Sequence, residues 1–194
     1  MSFSFPDLLT LARFTLQSPR EGAALVMRAD VPMPARWVAL VLMAVMSSVL
    51  AHLSFGMMPP EAQAQMGTAM SSPFRTALFQ LALMLASVHA VYWVGRWRGG
   101  TGSFADALIL MVWLQFILLM LQVLQILVQL VLPPAADLIG LLSVGIFLWL
   151  LSSFIAELHK FSSVGKTFLG VIGFMLALGV VMAFVLFPIV GGGL

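Results

Sequence analysis

Residues 104–132 read FADALILMVWLQFILLMLQVLQILVQLVL, with one charge, Asp106, at the third position and no ionisable side chain after it. About 20 apolar residues carry a helix across a hydrocarbon core of roughly 30 Å, and this run exceeds that length. A helix satisfies its own backbone N–H and C=O groups, which lipid cannot do. Strands of a membrane barrel would instead alternate in polarity over ~10 residues. The run is continuously apolar, so a transmembrane helix is predicted.

Working outward, four more runs have the same character: Trp37–Phe55, Phe74–Val94, Leu138–Ala156 and Phe168–Val190. The expected fold is all-α and polytopic, with five transmembrane helices across 37–190. Residues 1–36 form a cytoplasmic or interfacial helical segment and 191–194 a short outer tail. Composition agrees. The chain is 62% hydrophobic and 8% charged, against about 25% charged residues in a soluble domain. No basic cluster tracks phosphates, which argues against nucleic acid as a partner. Cysteine is absent, which excludes disulfides, thiolate metal sites and a cysteine nucleophile.

The charges orient the runs. Arg13, Arg20, Arg28, Arg36, Arg96, Arg98, Lys160 and Lys166 all fall on one side if every run crosses, and Arg75 alone borders the other. Short loops rich in Lys and Arg stay cytoplasmic. The N-terminus is therefore expected inside and the C-terminus outside, in a multi-pass, odd-span layout. The first residues lack the pattern of a cleavable signal. Asp7–Gln17 reads as an amphipathic helix. Ser18, Pro19 and Glu21 read as the cap, first position and capping box of a second helix, Arg20–Ala29. This segment is expected either to anchor on the cytoplasmic leaflet or to pack under the bundle. Ser103 and Asp106 read as a capping box for the third span. Pro133-Pro134 is expected to end that span in a tight outer turn. The outer loop Gly56–Pro73 is expected to hold a short helix. Gly140, Ser143 and Gly145, with Gly170 and Gly173, are expected to let spans four and five approach closely.

Few residues carry chemistry. Gln115, Gln122, Gln125 and Gln129 fall within roughly 80° of arc at 100° per residue. Amides should not face lipid unpaired. They therefore read as interhelical or subunit contacts, with a hydrated path as the alternative. His89 is an ionisable group within a span, and it can stay neutral with one hydrogen bond. His52 reads as interfacial. Arg96, Arg98, Asp106, Glu157, His159 and Lys160 mark the cytoplasmic edge, with Glu157 and Lys160 at pairing distance i,i+3. No metal-ligand spacing, nucleotide loop or hydrolase motif is present, so no catalytic residue, metal or cofactor is assigned.

The stretches Arg96-Trp97-Arg98-Gly99-Gly100-Thr101-Gly102-Ser103-Phe104, Trp113-Leu114-Gln115, Gln122-Val123-Leu124-Gln125, Pro133-Pro134, and Trp149-Leu150-Leu151 through Glu157-Leu158-His159 resemble bacterial members of the Yip family. Ser18-Pro19-Arg20 fits as well. The resemblance implies five spans, a cytoplasmic N-terminus and no enzymatic activity. Eukaryotic relatives bind Rab-type GTPases, but their Asp-Leu-Tyr-Gly-Pro motif is missing here. Phe5-Pro6-Asp7-Leu8 is the nearest piece, and Tyr92 is the only tyrosine, so their Gly-Tyr pair is missing too. GTPase binding is in doubt for this chain. The leading expectation is a non-enzymatic inner-membrane protein that organises lipids, anionic ones included, or partner proteins. It would act as a scaffold, an accessory subunit or a homo-oligomer. A small transporter or channel using the glutamine face is the alternative.

Overall fold

The computed structural model describes residues 5–66 and 72–190. Among them eight helices follow one another: α1 (Phe5–Gln17), α2 (Pro19–Arg28), α3 (Met33–Gly56), α4 (Pro60–Met66), α5 (Pro73–Trp97), α6 (Phe104–Gln129), α7 (Pro133–Leu158) and α8 (Val164–Val190). Five of these, α3 and α5–α8, are long and apolar enough to cross a membrane. The chain is an all-α, multi-pass membrane protein. The expected outer tail, 191–194, and part of the loop after α4 lie outside the described residues.

Local sequence sets the helix ends. Proline occupies the first turn of α2, α3, α5 and α7, where its missing N–H would be unpaired anyway. The Ser103 hydroxyl accepts from the Asp106 N–H at 3.1 Å and donates to the Asp106 carboxylate at 2.6 Å. The capping box predicted for α2 does not form, because Ser18 makes no side-chain cap bond. Its carbonyl instead accepts from the Gly22 N–H at 2.9 Å, and Pro19 starts the helix. A second correction concerns Pro133-Pro134. Helix α6 already ends at Gln129, the turn is Leu130–Leu132, and Pro133 opens α7. The prolines start a helix because their fixed φ suits its first position.

Helix α6 is the hub. It packs on α7, α3, α5 and α2. Half of its apolar window is buried, against 6% for α8. Leu108, Leu114 and Ile117 of α6 meet Leu40 of α3, Val88 of α5 and Leu150 of α7 in the core. Helices α3 and α5 form an adjacent pair, joined by the Ser48 hydroxyl donating to the Pro73 carbonyl at 2.9 Å. Helix α8 rests on α7. The small residues predicted to bring α7 and α8 together do not do so. Gly140 faces Gln125 of α6, Ser143 bonds back to the Ile139 carbonyl, and Gly145, Gly170 and Gly173 have open space where a Cβ would be.

Helices α1 and α2 pack against the bundle instead of lying apart from it. They form a hairpin against α6 and α7. A Cβ on Gly22 would stand 2.5 Å from Thr15 Oγ1 and 2.8 Å from its Cα, so only glycine permits this crossing. Thr15 is fully buried. Its hydroxyl accepts from the Trp113 indole N–H of α6 at 3.1 Å and donates to the Leu11 carbonyl at 2.8 Å.

Candidate functional site

The α5–α6 and α7–α8 connections meet at the end of the bundle that carries α1 and α2, here termed the basic end. Two matched helix stops build it. At the end of α5, Gly99 takes φ +86°. The Gly99 N–H donates to the Arg96 carbonyl and the Gly100 N–H to the Gly95 carbonyl, both at 2.9 Å. This paired closure is a Schellman motif. At the end of α7 the same motif recurs, with the Phe161 N–H on the Ala156 carbonyl at 2.8 Å. Here Lys160 takes the left-handed position at φ +58°, a conformation that costs a non-glycine residue ~1–2 kcal/mol.

His159 lies between the two stops and is buried. Its Nδ1 accepts from the Gly102 N–H at 3.3 Å, and its Nε2 pairs with the Val91 carbonyl at 3.0 Å. A backbone N–H aimed at Nδ1 requires the proton on Nε2, so the ring is a neutral tautomer. A Cβ at Gly95 would sit 2.0 Å from Nε2, and one at Gly100 2.3 Å from Nδ1. A Cβ at Gly102 would sit 2.6 Å from Leu158 Cγ. The glycines of the α5–α6 connection thus form a cradle for one imidazole. Phe161 stacks on the ring at 5.6 Å.

Burial, above all, and the neighbouring Arg96 charge lower the His159 pKa, against the opposing pull of the Val91 carbonyl. The sign follows from linkage. In the folded state the ring binds a proton less readily than in the unfolded chain, whose imidazole titrates near 6.5. The stability it contributes is complete above that value and is lost as pH falls below it. We expect the thermal midpoint of the detergent-solubilised protein to fall on acidification below about pH 6.5. His159→Gln should melt lower at neutral pH and lose most of that acid dependence. Parallel slopes for the two proteins would contradict the assignment.

Ion pairs tie the hairpin to this end. Glu157 Oε2 accepts from Arg20 Nε of α2 at 3.1 Å, and Oε1 accepts from Lys160 Nζ. Arg36, at the start of α3, donates from Nε to the Val31 carbonyl at 2.9 Å and from its guanidinium to the Ala105 carbonyl, with Asp106 3.7 Å away. Arg96 lies over the Tyr92 ring at 5.8 Å. Arg98 is exposed at the edge of a groove between α5 and α8.

The other predicted residues are dispersed. Gln115 donates to the Ser47 hydroxyl of α3 at 2.7 Å, a bond between helices. Gln125 faces Gly140 of α7. Gln122 and Gln129 are half-buried. A cavity of about 410 Å³ lies beside α8 and contains none of the four glutamines. His89 is exposed, with Nδ1 2.7 Å from the Leu85 carbonyl and its ring 5.2 Å from that of Phe104. His52 Nδ1 is buried without a hydrogen-bond partner among the described residues. No group of three or more metal-ligating side chains occurs among the described residues.

Sequence reasoning missed the cradle, the Arg20–Glu157 and Arg36–Asp106 pairs, and the Thr15–Trp113 bond. One signal for the first was available: four glycines, Gly95, Gly99, Gly100 and Gly102, lie within eight residues, more than a single turn requires.

Fold and site together define a multi-pass helical membrane protein whose basic end is locked by side chains from α2, α3, α6 and α7 and by His159. The Yip1 domain family model matches residues 14–186, nearly the whole chain, and the chain belongs to that family. No curated protein and no solved structure gives a significant match.

Proposed function

We propose that this chain is a non-enzymatic scaffold of the bacterial inner membrane, with its N-terminus cytoplasmic and its C-terminus periplasmic. It gathers lipid and partner membrane proteins, or further copies of itself, around α8 and the outer halves of α6 and α7. One observation carries this reading. The basic end engages Asp106, Glu157 and His159 in structural bonds, whereas α8 packs chiefly on α7 and leaves most of its surface open. Acid–base chemistry needs a titratable group free to meet a substrate, and these groups are held by backbone and counter-ions. The Yip-type family and the placement of eight of nine cationic residues at one end support the family role and the orientation respectively.

A photo-crosslinking residue at Leu176, exposed on α8, tests the reading in intact membranes. A discrete protein adduct, either a second copy or a distinct polypeptide, is expected. The purified protein in liposomes should give no solute flux above protein-free vesicles. Specific flux abolished by Gln122→Leu would overturn the scaffold reading in favour of a transport path. A reporter enzyme fused at Leu194 that worked only in the cytosol would overturn the orientation.

A further inference from the structure

Between α5 and α8 lies a groove of about 410 Å³, within the ~300–1,000 Å³ range of small-molecule sites. Its floor is Met111 of α6 and Phe147 and Leu151 of α7, and Val94 and Val171 stand on opposite walls. The groove is open along one side and mainly apolar within, so its lining gains dispersion contacts from an apolar chain laid against it. Along α8 the lining runs from Lys166 to Leu178, about 18 Å at 1.5 Å per residue. That is close to one leaflet, half of a ~30 Å hydrocarbon core.

The mouth has a different chemistry. Arg98 and Lys166 are both exposed there, beside the hydroxyls of Ser162 and Ser163. Neither cation has a carboxylate within ion-pair distance among the described residues, and no acidic residue lines the groove. Of the other cations at this end, Arg20, Arg36 and Lys160 pair with acids, Arg96 covers Tyr92, and Arg13 and Arg28 do not line the groove. An apolar shaft one leaflet deep with two unpaired cations at its basic mouth matches one amphiphile.

We propose that the α5–α8 groove holds one anionic phospholipid, its acyl chain along the floor and its phosphate on Arg98 and Lys166. The proposal deepens the scaffold reading by naming a ligand class and a place for it. A second copy of the chain or a foreign helix would bring no phosphate to the mouth.

The test uses full-length protein, stripped of lipid in detergent and offered equal amounts of dioleoyl phosphatidylglycerol and dioleoyl phosphatidylcholine, with retention read by native mass spectrometry. One adduct is expected, favouring phosphatidylglycerol by about fivefold. R98Q/K166Q should keep an adduct and lose that preference. Gly170 lines the groove with nothing within 4 Å of a Cβ, so G170F should fill the shaft and abolish adducts of both lipids. Gly179 has equally open space and does not line the groove, so G179F should retain binding. If G170F does not accumulate, G170L carries the same expectation. Three results would each overturn the proposal: no adduct on the wild type, a preference unchanged in R98Q/K166Q, or a co-purifying polypeptide whose removal opens the groove to neither lipid. Loss of lipid binding with α8 cross-links intact would sink the groove alone, and lost cross-links with the adduct intact would sink the scaffold reading alone.

Discussion

Gly95→Ala is expected to destabilise the protein by about 3 kcal/mol, enough to reduce its accumulation in membranes sharply. The added methyl would lie 2.0 Å from His159 Nε2, and no adjustment of a few tenths of an ångström relieves that. The imidazole must leave its cradle. It then gives up the Val91 and Gly102 bonds, and the buried Gly102 N–H left unpaired costs ~1–3 kcal/mol. Overpacking contributes about 1–3 kcal/mol more before relaxation. The tryptophan-fluorescence melting curve in mild detergent measures the loss. Gly145→Ala is the matched control, since nothing lies within 4 Å of its Cβ, and its midpoint should stay unchanged or rise slightly. His159→Ala placed in the Gly95→Ala background should recover part of the deficit, because the clash partner is gone. Equal melting of Gly95→Ala and wild type would mean the cradle does not exist in the membrane.

The second large effect concerns the N-terminal hairpin. Gly22→Ala should detach α1 from α2 at a cost of about 2–3 kcal/mol. The new methyl meets the Thr15 Cα at 2.8 Å and Cβ at 2.9 Å as well as the hydroxyl, so backbone, and not only a rotatable side chain, stands in the way. As the hairpin opens, the Trp113 indole loses its acceptor and gains water. We expect a red-shifted tryptophan emission and rapid proteolysis after Arg13 in inside-out vesicles. Thr15→Val keeps the crossing and removes only the hydroxyl, so it should cost about 1 kcal/mol and leave protease protection intact. Undiminished protection in Gly22→Ala would show that the hairpin does not depend on that contact.

The five spans were legible because hydrocarbon imposes one requirement on every residue of a run, and a length and a polarity suffice to meet it. Capping was legible where it is local. Ser103 and Asp106 lie three positions apart, and their bond closes within one turn. Ser18 has an equally suggestive neighbourhood yet makes no side-chain cap, since Pro19 and the docking of α2 fix that helix start without it. The Pro133-Pro134 turn was displaced by a few residues for a related reason: proline is compatible with stopping one helix and with starting the next. What could not be read was anything joining distant segments. Arg20 and Glu157 are 137 positions apart and Thr15 and Trp113 are 98 apart, and no periodicity encodes such pairings. The cradle lay between these cases. Its glycines are conspicuous, but the imidazole they surround is supplied from another helix. The glutamine stripe was visible as a stripe, whereas its division between Ser47 and Gly140 depends on which helices flank α6.

Those separations also bear on biogenesis. A ribosome makes α1 and α2 well before the surfaces that receive them, since Trp113 follows Thr15 by 98 positions and Glu157 follows Arg20 by 137. Through that interval the hairpin waits undocked at the membrane border, its apolar side uncovered. Completion of the fourth span is therefore the moment at which the hairpin becomes fixed. A nascent chain halted before that point would be open to capture by chaperones or to cleavage.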